Sequence, residues 1–184
     1  MAKEFDLPNP FKLPRIKYFP KPVSPLTQDE VESLLDACHY VDVQPKNRKP
    51  YKSVRKTRKR DKAIILTFLD TGMRVSELCD IKIGDFLPDT GRIVITGKGA
   101  KTRFVYLGKI SLRAVWFYLL EQYPNETPNK DIPLFLDQHG LYPMNRHSVY
   151  KLVKYLGRSA GVNDVYPHKF RHTFAVQFLR NGGN

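Results

Sequence analysis

The chain has 184 residues, enough for one domain with an arm, and 41% of them are hydrophobic, enough for a packed core. Its 31 basic and 18 acidic residues leave a formal charge of +13, which selects a polyanionic partner: nucleic acid first, an anionic membrane surface second. A helical membrane span is excluded, because apolar runs such as residues 114–120 fall far short of the roughly 20 residues required, and the first residues show no apolar signal-peptide core.

Residues 1–25 hold Pro8, Pro10, Pro14, Pro20, Pro22 and Pro25, with a basic residue between most of them. Proline fixes φ and removes a donor, so this stretch reads as an extended linker arm. Thr27-Gln28-Asp29-Glu30 is a capping box, and Val31, Leu34, Leu35 and Cys38 follow at helical spacing, so a first helix is expected over about 28–38. Cys38 and Cys79 lack metal-ligand spacing and read as buried free thiols of a reducing cytoplasm. Residues 46–62 contain ten Lys or Arg and a single acid, Asp61. That run reads as a solvated, mobile surface loop or as a phosphate clamp in which Arg55, Lys56 and Arg58 meet DNA. The two readings overlap, since a mobile basic loop can order on DNA.

Ala63 to Leu69 is apolar and ends at Gly72, a good helix-terminating residue. Arg74 follows at once, and a short helix starts at Ser76 or its neighbour and runs through Leu78 to Ile81. A guanidinium on a rigid helix junction is suited to work that needs one fixed geometry. It reads equally as a surface arginine paired with Glu77 or another acid. From Ile81 the period changes to two: Arg92–Thr96 and Phe104–Leu107 are expected as paired strands, with a turn at 89–91. Gly97-Lys98-Gly99-Ala100-Lys101 makes a Gly-bearing hairpin whose Lys98, Lys101 and Arg103 suit a DNA groove, although basic tips occur on many folds.

Ser111 is placed to cap a helix with Ala114, Val115, Tyr118 and Leu119 on one face, its aromatics read as core. Residues 123–133, with three prolines, read as a loop, and Leu134-Phe135-Leu136 as a short buried segment. Asn145 is placed to cap a helix bearing Val149, Leu152, Val153 and Leu156, with Gly161 past its end. Pro167 suits the first turn of a last helix, which Gly182-Gly183 stops. There His168 and Arg171 share a face, His172 follows His168 at i+4, and Phe170, Phe174 and Phe178 form a row expected to pack inward. His168 and Arg171 also suit purely structural roles. The fold class is mostly α with a small antiparallel β-sheet.

Three of these stretches occur in a telling order: Thr71-Gly72-Met73-Arg74-Val75-Ser76-Glu77-Leu78, then Gly97-Lys98-Gly99-Ala100-Lys101, then His168-Lys169-Phe170-Arg171-His172-Thr173-Phe174-Ala175. Together they resemble the boxes of the tyrosine recombinases, the phage-integrase family, over roughly residues 20–184. Asp61 in Arg60-Asp61-Lys62 and the helix beginning at Thr27 fit the same family. The resemblance implies a DNA-breaking-rejoining catalytic core over 26–184, with the 1–25 arm as the link to a helical DNA-binding domain. By resemblance, Arg74 and Arg171 grip the scissile phosphate, Lys98 protonates the departing 5′ oxygen, His168 helps accept the nucleophile's proton, and Glu77 steadies the site. The chemistry is consistent, because two planar guanidiniums can each bond phosphate oxygens bidentately and stabilise a pentacoordinate transition state.

With arginines supplying the positive charge, the resemblance implies no metal and no cofactor. It implies double-stranded DNA as partner, self-association of the full-length protein, and a cytoplasmic, nucleoid-associated location. The family's nucleophile is a tyrosine on a helix beyond the His-x-x-Arg box, and no tyrosine here follows Tyr166. The expectation is therefore a catalytic domain incomplete at its C-terminus, with no nucleophile assigned, that binds DNA but is inactive alone. The alternative is a non-catalytic DNA-binding fragment, or a competitor of an intact integrase.

Overall fold

The computed structural model describes residues 24–97 and 101–183, so nearly all of the 1–25 arm lies outside the described residues. Thr27 caps α1 (Gln28–His39) as expected: its hydroxyl accepts the Glu30 N–H at 3.2 Å, and the Glu30 carboxylate accepts the Thr27 N–H at 2.8 Å. The preceding residue, Leu26, is buried, and its N–H donates to Thr173 Oγ1 at 2.9 Å, which ties this segment to the last helix.

The basic run is not the loop expected from its charge. β1 (Tyr40–Val43) and β2 (Tyr51–Val54) form an antiparallel hairpin, with Tyr40 opposite Val54 and Val43 opposite Tyr51. α2 (Arg58–Thr71) then begins within the run. The physical reason is Asp61, which is fully buried. It accepts from Arg55 Nη2 at 2.6 Å, Thr57 Oγ1 at 2.7 Å, and Arg60 Nε and Nη2 at 3.0 and 2.7 Å. A buried carboxylate needs paired donors, so it draws two neighbouring arginines inward. Arg60 Nη1 also donates to the Leu136 carbonyl at 3.2 Å, which locks the start of α2 to the buried 134–136 segment.

α2 is the central helix. Ala63, Ile64, Ile65 and Phe68 are fully buried, and it packs against α1 and the two helices described below as α4 (Lys109–Gln122) and α6 (Pro167–Arg180). It ends at Gly72 with φ 55°, in the left-handed region. α3 (Val75–Asp80) and a single 3-10 turn lead to β3 (Phe86–Leu87), β4 (Arg92–Thr96) and β5 (Thr102–Tyr106), an antiparallel sheet in that order. Ile93 and Ile95 face the core, whereas Phe104 and Tyr106 stay exposed.

α4 begins before Ser111, so that residue is not its cap. Gly108 is, with its N–H held by the Asp70 carboxylate at 2.6 Å, while Ser111 is buried and its hydroxyl donates to the Leu66 carbonyl at 3.4 Å. The α4 aromatics are divided. Tyr118 is buried and its hydroxyl accepts the Leu136 N–H at 3.1 Å, but Trp116 and Phe117 are 46% and 41% exposed. α5 (Arg146–Ser159) is capped by Asn145, whose Oδ1 accepts the Ser148 N–H at 2.9 Å. α6 starts with Pro167. Its phenylalanine row packs only in part: Phe170 is buried and stacks on Phe68 at 5.9 Å between centroids, Phe174 is half-buried, and Phe178 is 47% exposed.

Both cysteines are free, Cys38 buried and Cys79 half-buried. Burial pushes the Cys38 thiol up to about 12 and the Cys79 thiol up to about 11, so neither is a thiolate near neutral pH.

Replacing Asp61 by alanine leaves Arg55 and Arg60 facing a buried site without their anion. Asp61→Ala is expected to cost about 3–5 kcal/mol, read as a fall of about 10 °C or more in Tm. A variant melting with the wild type would show that the buried carboxylate does not organise this end of α2.

Candidate phosphate-binding site

The site is built on the corner where α2 gives way to α3. Gly72 closes α2, and a Cβ there would overlap the ring of Phe174 on α6. The missing side chain thus lets α6 approach the corner. From that helix Arg171 Nη1 donates to the Gly72 carbonyl at 2.5 Å. Met73 is buried, and Arg74 then turns outward as the residue before α3, with its side chain 63% exposed. Two arginines far apart in sequence therefore stand at one corner. His168 is exposed and stands one turn before Arg171 on the same face of α6.

Glu77 holds the corner rigid. It is buried and accepts the Arg74 N–H at 2.7 Å, Arg74 Nη1 at 3.2 Å, and Arg103 Nη1 and Nη2 at 2.8 Å each. The two parallel bonds from Arg103 tie β5 to α3. Burial alone would raise the Glu77 carboxyl, but the Arg103 bonds and the Arg74 N–H outweigh it and hold it down at about 2. Two guanidiniums, those of Arg74 and Arg103, meet one ionised carboxylate, and with Arg171 on the Gly72 carbonyl the corner keeps an excess of positive charge. Arg74 and Arg171 each retain donors beyond those used here. Such an arrangement can bind a tetrahedral or pentacoordinate phosphate oxyanion.

The other residues singled out in the sequence are distributed as follows. Lys98 lies outside the described residues. Lys101 is exposed where the β4–β5 turn closes, its carbonyl accepting the Gly97 N–H at 2.8 Å. Lys56 is exposed. Arg58 is 3.6 Å from Glu121 across a half-exposed pair. Arg55 is held by Asp61 with its guanidinium 4.7 Å above the Tyr155 ring, and Arg103 is held by Glu77. These last two arginines brace the scaffold. The sequence does not announce Arg103 as a partner of Glu77, because a strand register across the sheet sets it. The spacing of Arg74 and Glu77 at i, i+3 was the available signal for the other half of that cluster. Among the described residues, no group of His, Cys, Asp and Glu is arranged to hold a metal ion.

Glu77 has a depressed pKa, so its ionised form contributes stability in full above its ordinary value of 4.5, and that contribution is lost as pH falls through about 2. Glu77→Gln is expected to remove about 2 kcal/mol at neutral pH and to flatten this acid limb, measured by urea unfolding between pH 7 and pH 2. Equal stability of variant and wild type at pH 7 would refute the bracing role.

Residues 24–184 match the family model described as the phage integrase family. Tyrosine recombinase XerD of Chlamydia pneumoniae is 35% identical over 178 residues, covering 95% of this chain and 55% of its own length. Tyrosine recombinase XerC of Staphylococcus epidermidis is 39% identical over 125 residues, covering 68% of this chain and 42% of its own length. The chain thus spans about half the length of the curated relatives it matches. Among solved structures, the XerA recombinase superposes with a TM-score of 0.70 at 28% identity, covering 88% of this chain and 52% of that one. The XerH site-specific recombinase, in a pre-cleavage complex with its difH substrate, superposes with a TM-score of 0.63 at 27% identity, covering 88% and 44%. With the matched family region and the shared helical architecture in agreement, this chain belongs to the phage integrase family, the tyrosine recombinases, and has the fold of their catalytic domain.

Proposed function

We propose that this chain binds double-stranded DNA as the phosphate-gripping part of a site-specific tyrosine recombinase. The observation that carries the reading is the Arg171 guanidinium on the Gly72 carbonyl, beside the outward-facing Arg74. In the proposed reaction a tyrosine attacks the scissile phosphate to give a 3′-phosphotyrosine link and a free 5′ hydroxyl. The 5′ hydroxyl of a partner strand then attacks that link and releases the tyrosine. Arg74 and Arg171 stabilise the charge on the phosphoryl oxygens. His168 helps accept the nucleophile's proton, and Lys98 supplies one to the departing 5′ oxygen. Glu77 and Arg103 are positioning residues that fix Arg74. The proposed place of action is the cytoplasm, at the nucleoid.

No tyrosine follows Tyr166 within these 184 residues, so no residue among them is assigned as nucleophile. In a second reading the chain binds DNA without catalysis and competes with an intact integrase. Both readings require the arginine corner to hold DNA.

Duplex binding should fall on the order of tenfold to a hundredfold in Arg74→Ala and again in Arg171→Ala, each lowering the salt slope by about 1. Thermal melts of both variants separate this from lost folding. Binding unaltered by either change would remove the corner from DNA recognition. A nicked suicide duplex incubated with the 184-residue chain should yield no covalent product, and an adduct would show that a nucleophile had been overlooked.

A further inference from the structure

The β1–β2 hairpin buries none of its own side chains: every residue from 40 to 54 is at least partly exposed. One face presents Tyr40, Asp42, Lys52 and Val54, all exposed, and the turn adds Lys46, Arg48 and Lys49. Four cations face a single acid of the hairpin, Asp42. Among the described residues, none of those four is ion-paired with a carboxylate. A lone two-stranded ribbon is marginal in water, so packing within this fold does not account for the hairpin's length or its charge.

Its root, by contrast, is firmly built. The Arg55 N–H donates to the His39 carbonyl at 2.9 Å, its guanidinium bonds Asp61 at 2.6 Å, and the same group lies over Tyr155 of α5. That contact joins the ribbon to a basic helix surface. Lys151 shares a cleft of about 460 Å3 with Arg55 on one side. It also lines a larger cleft of about 850 Å3 with Lys154 and Arg158 on the other. α5 in turn packs against α3, which Arg74 immediately precedes, and α6, which carries Arg171. Basic side chains of α5 therefore stand beside the root of the ribbon, on a helix packed against both elements of the arginine corner.

The geometry points to the β1–β2 hairpin as a second nucleic-acid contact, a basic ribbon that grips the phosphate backbone of duplex DNA beyond the stretch held at the Arg74–Arg171 corner. The inference rests on the DNA-binding function proposed above and extends it to an element that the three family boxes do not include. Lysine and arginine at the turn neutralise phosphates and release counterions, while the tyrosine hydroxyls can donate to phosphate oxygens. A membrane surface fits less well, because the exposed apolar groups are scattered rather than gathered into one insertable face.

The test compares wild type with two variants: Lys46→Ser/Arg48→Ser/Lys49→Ser/Lys52→Ser, and a chain in which residues 44–50 are replaced by Asn-Gly to close a short ribbon. Duplex affinity is measured across a salt series, with hydroxyl-radical footprinting and thermal melts. The serine variant should melt like the wild type, lower the salt slope by about 3 to 4, and shorten the protected stretch on long duplexes; the short-ribbon variant should shorten it likewise. If wild type binds duplex DNA and both variants keep its slope and footprint, the ribbon is not a DNA contact. If the ribbon variants lose slope while Arg74→Ala and Arg171→Ala do not, the ribbon assignment stands and the corner assignment fails. If wild type shows no salt-dependent duplex binding, both fall; salt-dependent capture by anionic vesicles would then assign the ribbon's charge to a membrane surface.

Discussion

Gly72 has to satisfy two demands at once. Its backbone turns through a left-handed conformation that side chains resist, and its α-carbon lies against the ring of Phe174 with no room for a Cβ. Because both demands are met, α6 can close on the end of α2, and Arg171 reaches a carbonyl that the helix leaves unsatisfied. The same turn swings the next exposed residue, Arg74, to the outside of the corner. The meeting of two remote arginines is thus a consequence of one residue without a side chain.

Buried carboxylates do the rest of the organising. In a chain with a large positive excess, guanidiniums repel one another unless an anion gathers them. Asp61 gathers Arg55 and Arg60 at the start of α2, and Glu77 gathers Arg103 and the Arg74 backbone at the far end. The central helix therefore runs between two acid-centred clusters, and its apolar middle fills the core. The basic residues divide into those locked by these acids and those left at the surface, Lys56 and Lys101 among the latter.

Features that rest on local chemistry were legible in the sequence. Thr27 and Asn145 cap helices, Pro167 opens one and Gly72 ends one, because each decides its own backbone or the one beside it. The arginine boxes were legible for the same reason: their spacing within short stretches is itself the signal. Features set by tertiary context were not. Residues 51–54 show no period-two alternation, since Tyr51 and Val54 fall on opposite faces, and the charge of the 46–62 run dominates, so a ribbon read as a loop. The bond between Arg103 and Glu77 was hidden, because nothing in the Arg103 stretch names that partner. Ser111 read as a cap because serine favours that role, yet Gly108 is chosen by an aspartate from α2. Phe178 fits the inward phenylalanine row by period alone, but α6 runs past the edge of the core before reaching it.

The bond from the Leu26 N–H to Thr173 Oγ1 joins two remote parts of the chain. Thr173 lies two positions from Arg171, and its hydroxyl is also bound to the Lys169 carbonyl one turn back. The segment ahead of α1 is therefore bonded directly to the helix that carries the second arginine. The leading segment and the Arg171 guanidinium are thus anchored on the same helix, two positions apart.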